Sequence, residues 1–204
     1  MSRWLLGERL PLHVTIDLVG AGHHPAAAPE GRGDGLGLWI DVTETACPVD
    51  PATVERVQTM DLLATKRRTA RKKECAEQDG LDPADAVVLV DLEVMIASNV
   101  QDAHRAMDRL DELVDTPPRP KSLRYIGTPT GLAGLISDIY AAKIADGVVL
   151  LPLINSDVLG YIASGTLPCL ESSGVRLSQE RIAMLHELAS RSSADPHVLM
   201  SEQV

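Results

Sequence analysis

Two adjacent histidines, His23 and His24, follow the first strand-like segment of the chain. An imidazole there can exchange a proton near neutral pH and so serve as a catalytic contact in a ligand pocket. The plainer reading is two loop histidines in solvent. A metal centre is not indicated, because no HxxxH pair or second cluster offers further ligands. Thr43 and Glu44 follow a second strand, Ser98 and Asn99 a third, and Asn155 and Ser156 the last. On a parallel sheet all of these would share the carboxyl end, where ligands bind. Ser98 and Asn99 are more simply helix caps. Asp91 and Glu93 fall on one face of a strand, so they need partners if the sheet is covered, or face water at an edge. The basic run Lys66 to Lys73 could hold an anion, but on a polar helix it reads more simply as a solvated face. Gly31, Gly33, Gly35 and Gly37 precede a strand and do not match a dinucleotide fingerprint. There is no P-loop or GxSxG elbow, and Cys47 has no histidine partner in the sequence.

The elements that would position these residues follow from pattern. Residues 12–19 are β-branched and nearly alternating, a strand. Gly20 to Gly37 has no helical period and reads as a long irregular loop. Leu38 to Val42 is a second strand. Pro51 opens a helix capped by Asp50 and running to about Asp79, where Gly80 stops it. Val87 to Ala97 is a long strand. Val100, Ala103, Met107, Leu110 and Val114 then line one face of a helix that ends at Pro117. Leu123 to Gly127 is short and extended, and Thr128-Pro129 starts a helix with Leu132, Leu135, Ile136 and Ile139 as its buried stripe. Gly147 to Pro152 is continuously apolar, as in a parallel sheet covered on both faces. Helices are expected at about 155–172 and 178–192. Alternating strands and helices predict an α/β fold built of parallel βαβ units, in one domain over 1–192 with a polar tail over 193–204.

Composition narrows the function. The chain has 204 residues, of which 45% are apolar, and contains no Phe, so Leu, Val, Ile and Ala must fill its core. A formal charge of −10 disfavours nucleic acid and anionic membranes as partners. Cys47, Cys75 and Cys169 are odd in number and widely spaced, which suits free thiols in a reducing cytoplasm. No apolar run approaches the roughly 20 residues a membrane helix needs.

Leu123-Arg124-Tyr125-Ile126-Gly127-Thr128-Pro129, then Ala145-Asp146-Gly147-Val148-Val149-Leu150-Leu151-Pro152 and Leu167-Pro168, resemble the closing segment of luciferase-like monooxygenases. Val87 to Leu113 resembles the strand and charged helix before it. Pro11-Leu12-His13-Val14 with Gly20-Ala21-Gly22-His23-His24-Pro25-Ala26-Ala27 is similar to that family's first strand and its Gly-Ala-Gly-Trp-His-Pro-Ala-Ala variant. The resemblance implies a shortened TIM-type (β/α) barrel, since full barrels run near 250 residues. The segment for strands two to five is absent, and the retained strands would be contiguous in the order six, seven, eight, one. Such a half-barrel leaves two edges, which a second copy or a full-length family partner could close by pairing first strand to sixth. An open sheet with edges covered by the 20–37 loop and the tail is the alternative.

What the resemblance implies about function is a flavin-dependent monooxygenase or oxidoreductase acting on a small-molecule substrate. Its cofactor would be flavin mononucleotide (FMN) or a deazaflavin. His23 or His24 would be the catalytic contact, and Thr43, Glu44 and Asn155 the cofactor-binding residues. From another class, the chain would be a non-catalytic flavin binder or an accessory subunit.

Overall fold

The computed structural model describes residues 11–27, 37–45, 49–52 and 54–193. Cys47, Gly31, Gly33, Gly35 and residues 194–204 of the expected tail lie outside the described residues. Ser193 belongs to the last helix rather than to the tail.

Six strands form one sheet: β1 His13–Leu18, β2 Leu38–Asp41, β3 Glu55–Val57, β4 Val88–Ile96, β5 Leu123–Gly127 and β6 Gly147–Pro152. β1 and β4 both run parallel to β6, with Ile16 and Leu92 each opposite Leu150. β6 is buried at all six positions, as its unbroken apolar sequence requires. Gly147 is obligatory at its head, because a Cβ there would lie 2.0 Å from the His13 carbonyl oxygen.

The strand order corrects the contiguous barrel order. β6 occupies one edge of β4 from Leu89 to Val94, so β3 and β5 share the other edge. β3 pairs with Val88–Val90 and β5 with Leu92–Ile96. β5, expected between β4 and β6, therefore lies outside them. The edges that a first-to-sixth pairing required are occupied: β2 pairs antiparallel with β1, and β3 and β5 line β4. The result is an α/β fold with a mostly parallel sheet, part of a TIM-type barrel.

Six α-helices accompany it among the described residues: α1 Leu62–Gln78, α2 Val100–Glu112, α3 Pro129–Ala141, α4 Asn155–Tyr161, α5 Leu167–Ser172 and α6 Gln179–Ser193. α1 begins eleven residues after the expected Pro51. Asp50 caps only a local turn through Ala52 N–H, at 2.8 Å, whereas Asp61 accepts from Leu63 N–H and caps the helix. Val54 and Val57, spaced as in a helix, belong to β3 and the loop before it. α2 and α3 start where their caps predict, with Asn99 accepting from Asp102 N–H and Thr128 from Gly131 N–H. The helix expected over 155–172 is broken by a π-helical turn over Ile162–Thr166 that joins α4 to α5.

The two faces of the sheet differ. Val14, Ile16, Val90, Leu92, Val94, Val148 and Leu150 join helix residues such as Met107, Ile136, Leu159 and Leu185 in the main core. The alternate residues Leu89, Val149 and Leu151 form a small separate cluster with Val49, Trp39, Val54 and Val87.

Candidate functional site at the carboxyl ends of the strands

The chain leaving β1 turns at once across the end of β6. Gly20 and Gly22 take positive φ of 49° and 153°, and a Cβ on Gly22 would lie 2.3 Å from the Leu153 carbonyl oxygen. Glycine is therefore required for the strap to lie this close. Backbone bonds from His23 N to Pro152 O and from His24 N to Leu153 O, at 2.9 and 3.0 Å, tie the strap down. Asn155 completes the tie, its backbone N–H donating to Ala21 O and its side-chain Nδ2 to Gly20 O. Its Oδ1 is buried and has no hydrogen-bond partner among the described residues.

His24 is not in solvent. Its ring is fully buried; Ala26 N–H donates to Nδ1 at 3.2 Å, so Nε2 carries the proton and donates to Asp111 Oδ1 at 3.2 Å. The ring thereby latches the strap to the end of α2 and holds both nitrogens away from any ligand. His23 is half-buried and donates from Nε2 to the Asp17 carbonyl at 2.7 Å.

Thr43 and Glu44 are corrected in position. They follow β2, which runs antiparallel to β1, so they lie at the amino end of the parallel strands, opposite His23, His24 and Asn155. Thr43 is buried, donates to Asp41 Oδ1 at 2.5 Å and bridges to Leu177. Glu44 is exposed and its backbone N–H donates to Arg176 O. The premise of a shared strand end, which placed both among cofactor-binding residues, fails for them.

A groove of about 540 Å³ opens at the carboxyl ends of β4 and β5. Ser98 borders it after β4, Thr128 and Thr130 at the start of α3, Tyr161 and Ser164 in and before the π-helical turn, and Cys169 in α5. Tyr125 builds one wall indirectly. Its hydroxyl donates to Thr128 O and accepts from Thr128 N–H, filling a notch where a Cβ on Gly131 would lie 2.1 Å away. On the other wall Gly165 lies against Pro129, and Thr166 donates to the Pro129 carbonyl at 3.2 Å. The π turn widens the helix there, a distortion that often accompanies functional positions. Among the described residues the groove presents hydroxyls and one thiol but no lysine or arginine.

On the ion-pair face of the sheet, Arg56 binds both oxygens of fully buried Asp91 at 2.9 and 3.0 Å and Asp17 at 2.8 Å. Gln58 adds a fourth bond, to Asp91, and the guanidinium lies 5.5 Å from the Trp39 ring. Burial disfavours the Arg56 cation, but its bonds to Asp91 and Asp17 outweigh this and raise its pKa. Arg124 and Ser122 hold Glu93. The partners that Asp91 and Glu93 require are therefore present. The basic run of α1 is mostly solvated, with Arg68 and Lys72 paired to Glu55 and Lys73 to Asp146. No cluster of metal ligands occurs among the described residues. Cys75 and Cys169 are free thiols, and no described helix is long and apolar enough to cross a membrane.

These features define an α/β chain bearing part of a TIM-type barrel, with a strap and a hydroxyl-lined groove at the carboxyl ends of its parallel strands. No protein-family model matches the chain, and no curated protein matches it in sequence. Solved structures share its fold. EDTA monooxygenase from Chelativorans sp. BNC1 matches with a TM-score of 0.54 at 17% identity, over 64% of this chain and 46% of that one. Riboflavin lyase, solved with modified FMN and its substrate riboflavin, gives 0.53 at 12%, over 61% and 39%. A long-chain alkane monooxygenase gives 0.52 at 11%, over 66% and 42%. These neighbours are luciferase-like flavin enzymes, and the chain spans less than half their length.

Proposed function

We propose that the chain is a luciferase-like flavin oxidoreductase-type protein that binds FMN or a deazaflavin in the groove beside Ser98 and Thr130. The observation that carries this reading is the position of the groove. It lies at the carboxyl ends of parallel strands, the end where barrels of this class build their sites, and its volume falls within the range of small-molecule pockets. Its donor set suits a polyol-phosphate tail: the Ser98, Thr130 and Ser164 hydroxyls and the amino end of α3 favour an anion and sugar hydroxyls. A bound flavin would supply the redox chemistry, while the chain would orient it and limit water around it. His23 sits on the strap outside the groove lining, with Nε2 on the Asp17 carbonyl, and would reach a ligand only where that ligand extends past the groove towards the strap. Asn155 and His24 hold the strap and act on a ligand only through it.

Enclosure of the His24 ring favours a second reading, in which the chain binds flavin without turning it over, or serves a partner. Either reading places a single-domain protein in a reducing cytoplasm. A second copy or a longer relative would then associate at the outer edges of β2, β3 or β5, the strands with no neighbour beyond them in the sheet among the described residues. Titration with FMN and with a deazaflavin, followed by fluorescence, tests the shared claim of saturable binding; absence of binding to either by folded protein removes both cofactor readings. Oxidation of reduced flavin in the presence of the protein then separates enzyme from carrier.

A further inference from the structure

We propose that His13 is an acid-operated pin at the amino ends of the strands, and that protonating it loosens α1 from the sheet. His13 opens β1 and is 4% exposed, and its Nδ1 is buried with no hydrogen-bond partner among the described residues. The charged groups around it come from three elements: Asp41 of β2, Asp146 at the head of β6, and Lys73 of α1. Arg181 of α6 reaches the same corner and donates to the Asp41 carbonyl.

Both carboxylates are already engaged. Asp41 accepts from Thr43 N–H and hydroxyl on one oxygen and from Val49 N–H on the other. Asp146 accepts from Lys73 Nζ at 2.7 Å and from Val88 N–H at 3.0 Å. A buried imidazolium needs an acceptor. The acceptor it can win is Asp146, whose partner Lys73 is the more exposed and solvates easily. Taking Asp146 from Lys73 breaks the ion pair that holds α1 at this corner, where the Thr69 hydroxyl still donates to the Ile144 carbonyl, while Arg68 and Lys72 keep their pairs with Glu55.

Desolvation holds the His13 pKa below its ordinary 6.5, with the attraction of Asp41 and Asp146 opposing it and Lys73 adding to it. The unfolded chain then binds the proton more readily than the folded one. Stability is complete above about pH 6.5 and is lost progressively as pH falls from there towards the folded-state value.

Hydrogen exchange of the full chain, resolved by segment and corrected for intrinsic rates, tests this. Between about pH 7.5 and pH 5.5, α1 should lose up to about tenfold in protection relative to α3, the most that one group with an ordinary value of 6.5 allows. In His13→Gln the difference should vanish. Lys73→Met, which removes the clamp directly, should lower α1 protection at pH 7.5 and leave it flat with pH, so a poorly folded His13→Gln does not spoil the test. Equal losses in α1 and α3, or an unchanged pH response in either variant, would overturn the proposal.

Discussion

The two faces of one sheet reach burial by different means. On the main-core face Ile16, Leu92, Val94 and Leu150 meet helix side chains and are held by apolar burial and close packing. On the other face Asp17, Asp91 and Glu93 alternate with apolar positions of the same strands and are held by Arg56 and Arg124 from the outer strands. The first face tolerates any apolar residue of suitable volume. The second depends on particular partners far away in sequence, since a buried carboxylate left alone costs more than a lost methylene.

The largest effect should come from breaking the second face at its centre. Arg56→Met leaves Asp91 buried without its cation and should cost about 3–5 kcal/mol in urea unfolding. Adding Asp91→Leu to Arg56→Met should recover most of that loss; if the double variant is as weak as the single, the ion pair is not what Arg56 supplies. On the main-core face Leu150→Ala, at a fully buried position, should cost about 2–5 kcal/mol by leaving a cavity. No second substitution at a charged site should rescue it. The amino cap of α3, Thr128, borders the groove. Thr128→Ala should cost about 1 kcal/mol, and thermal unfolding will register it. At the far end of the scale, Arg191→Ala removes an exposed pair with Glu187 and should change stability by less than about 0.5 kcal/mol. A larger loss there would show that exposed pairs contribute more in this protein than the comparison allows.

Much of the fold was legible because the signals were local. The unbroken apolar run of β6, the Thr128-Pro129 start of α3 and the Asn99 cap of α2 each follow from a few adjacent residues. β3 escaped because three residues carry little pattern, and Val54 and Val57 are spaced as a helix would space them. Strand order and direction are set by contacts across the sheet, so the outer place of β5 and the antiparallel run of β2 could not be read from either segment alone. That one reversal moved Thr43 and Glu44 to the wrong end. The acidic pair Asp91 and Glu93 did carry a usable signal, since the need for partners points to nearby cations. Arg56 was hidden in a presumed helix. The groove depends on the π turn at Ile162–Thr166, which no composition or spacing marks.

The proposed ligand of the groove at the strand ends is a flavin-type cofactor. Ser164 lines it and is exposed, so Ser164→Trp fills the groove without disturbing the core. FMN and a deazaflavin titrated into the wild-type protein and into Ser164→Trp, read by fluorescence with circular dichroism confirming the fold, test it most directly. Saturable binding of one cofactor by the wild type is expected, with at least about tenfold weaker binding by the variant, the loss that follows from about 1.4 kcal/mol of blocked contact. Equal binding by both proteins, or none by the wild type, would contradict it.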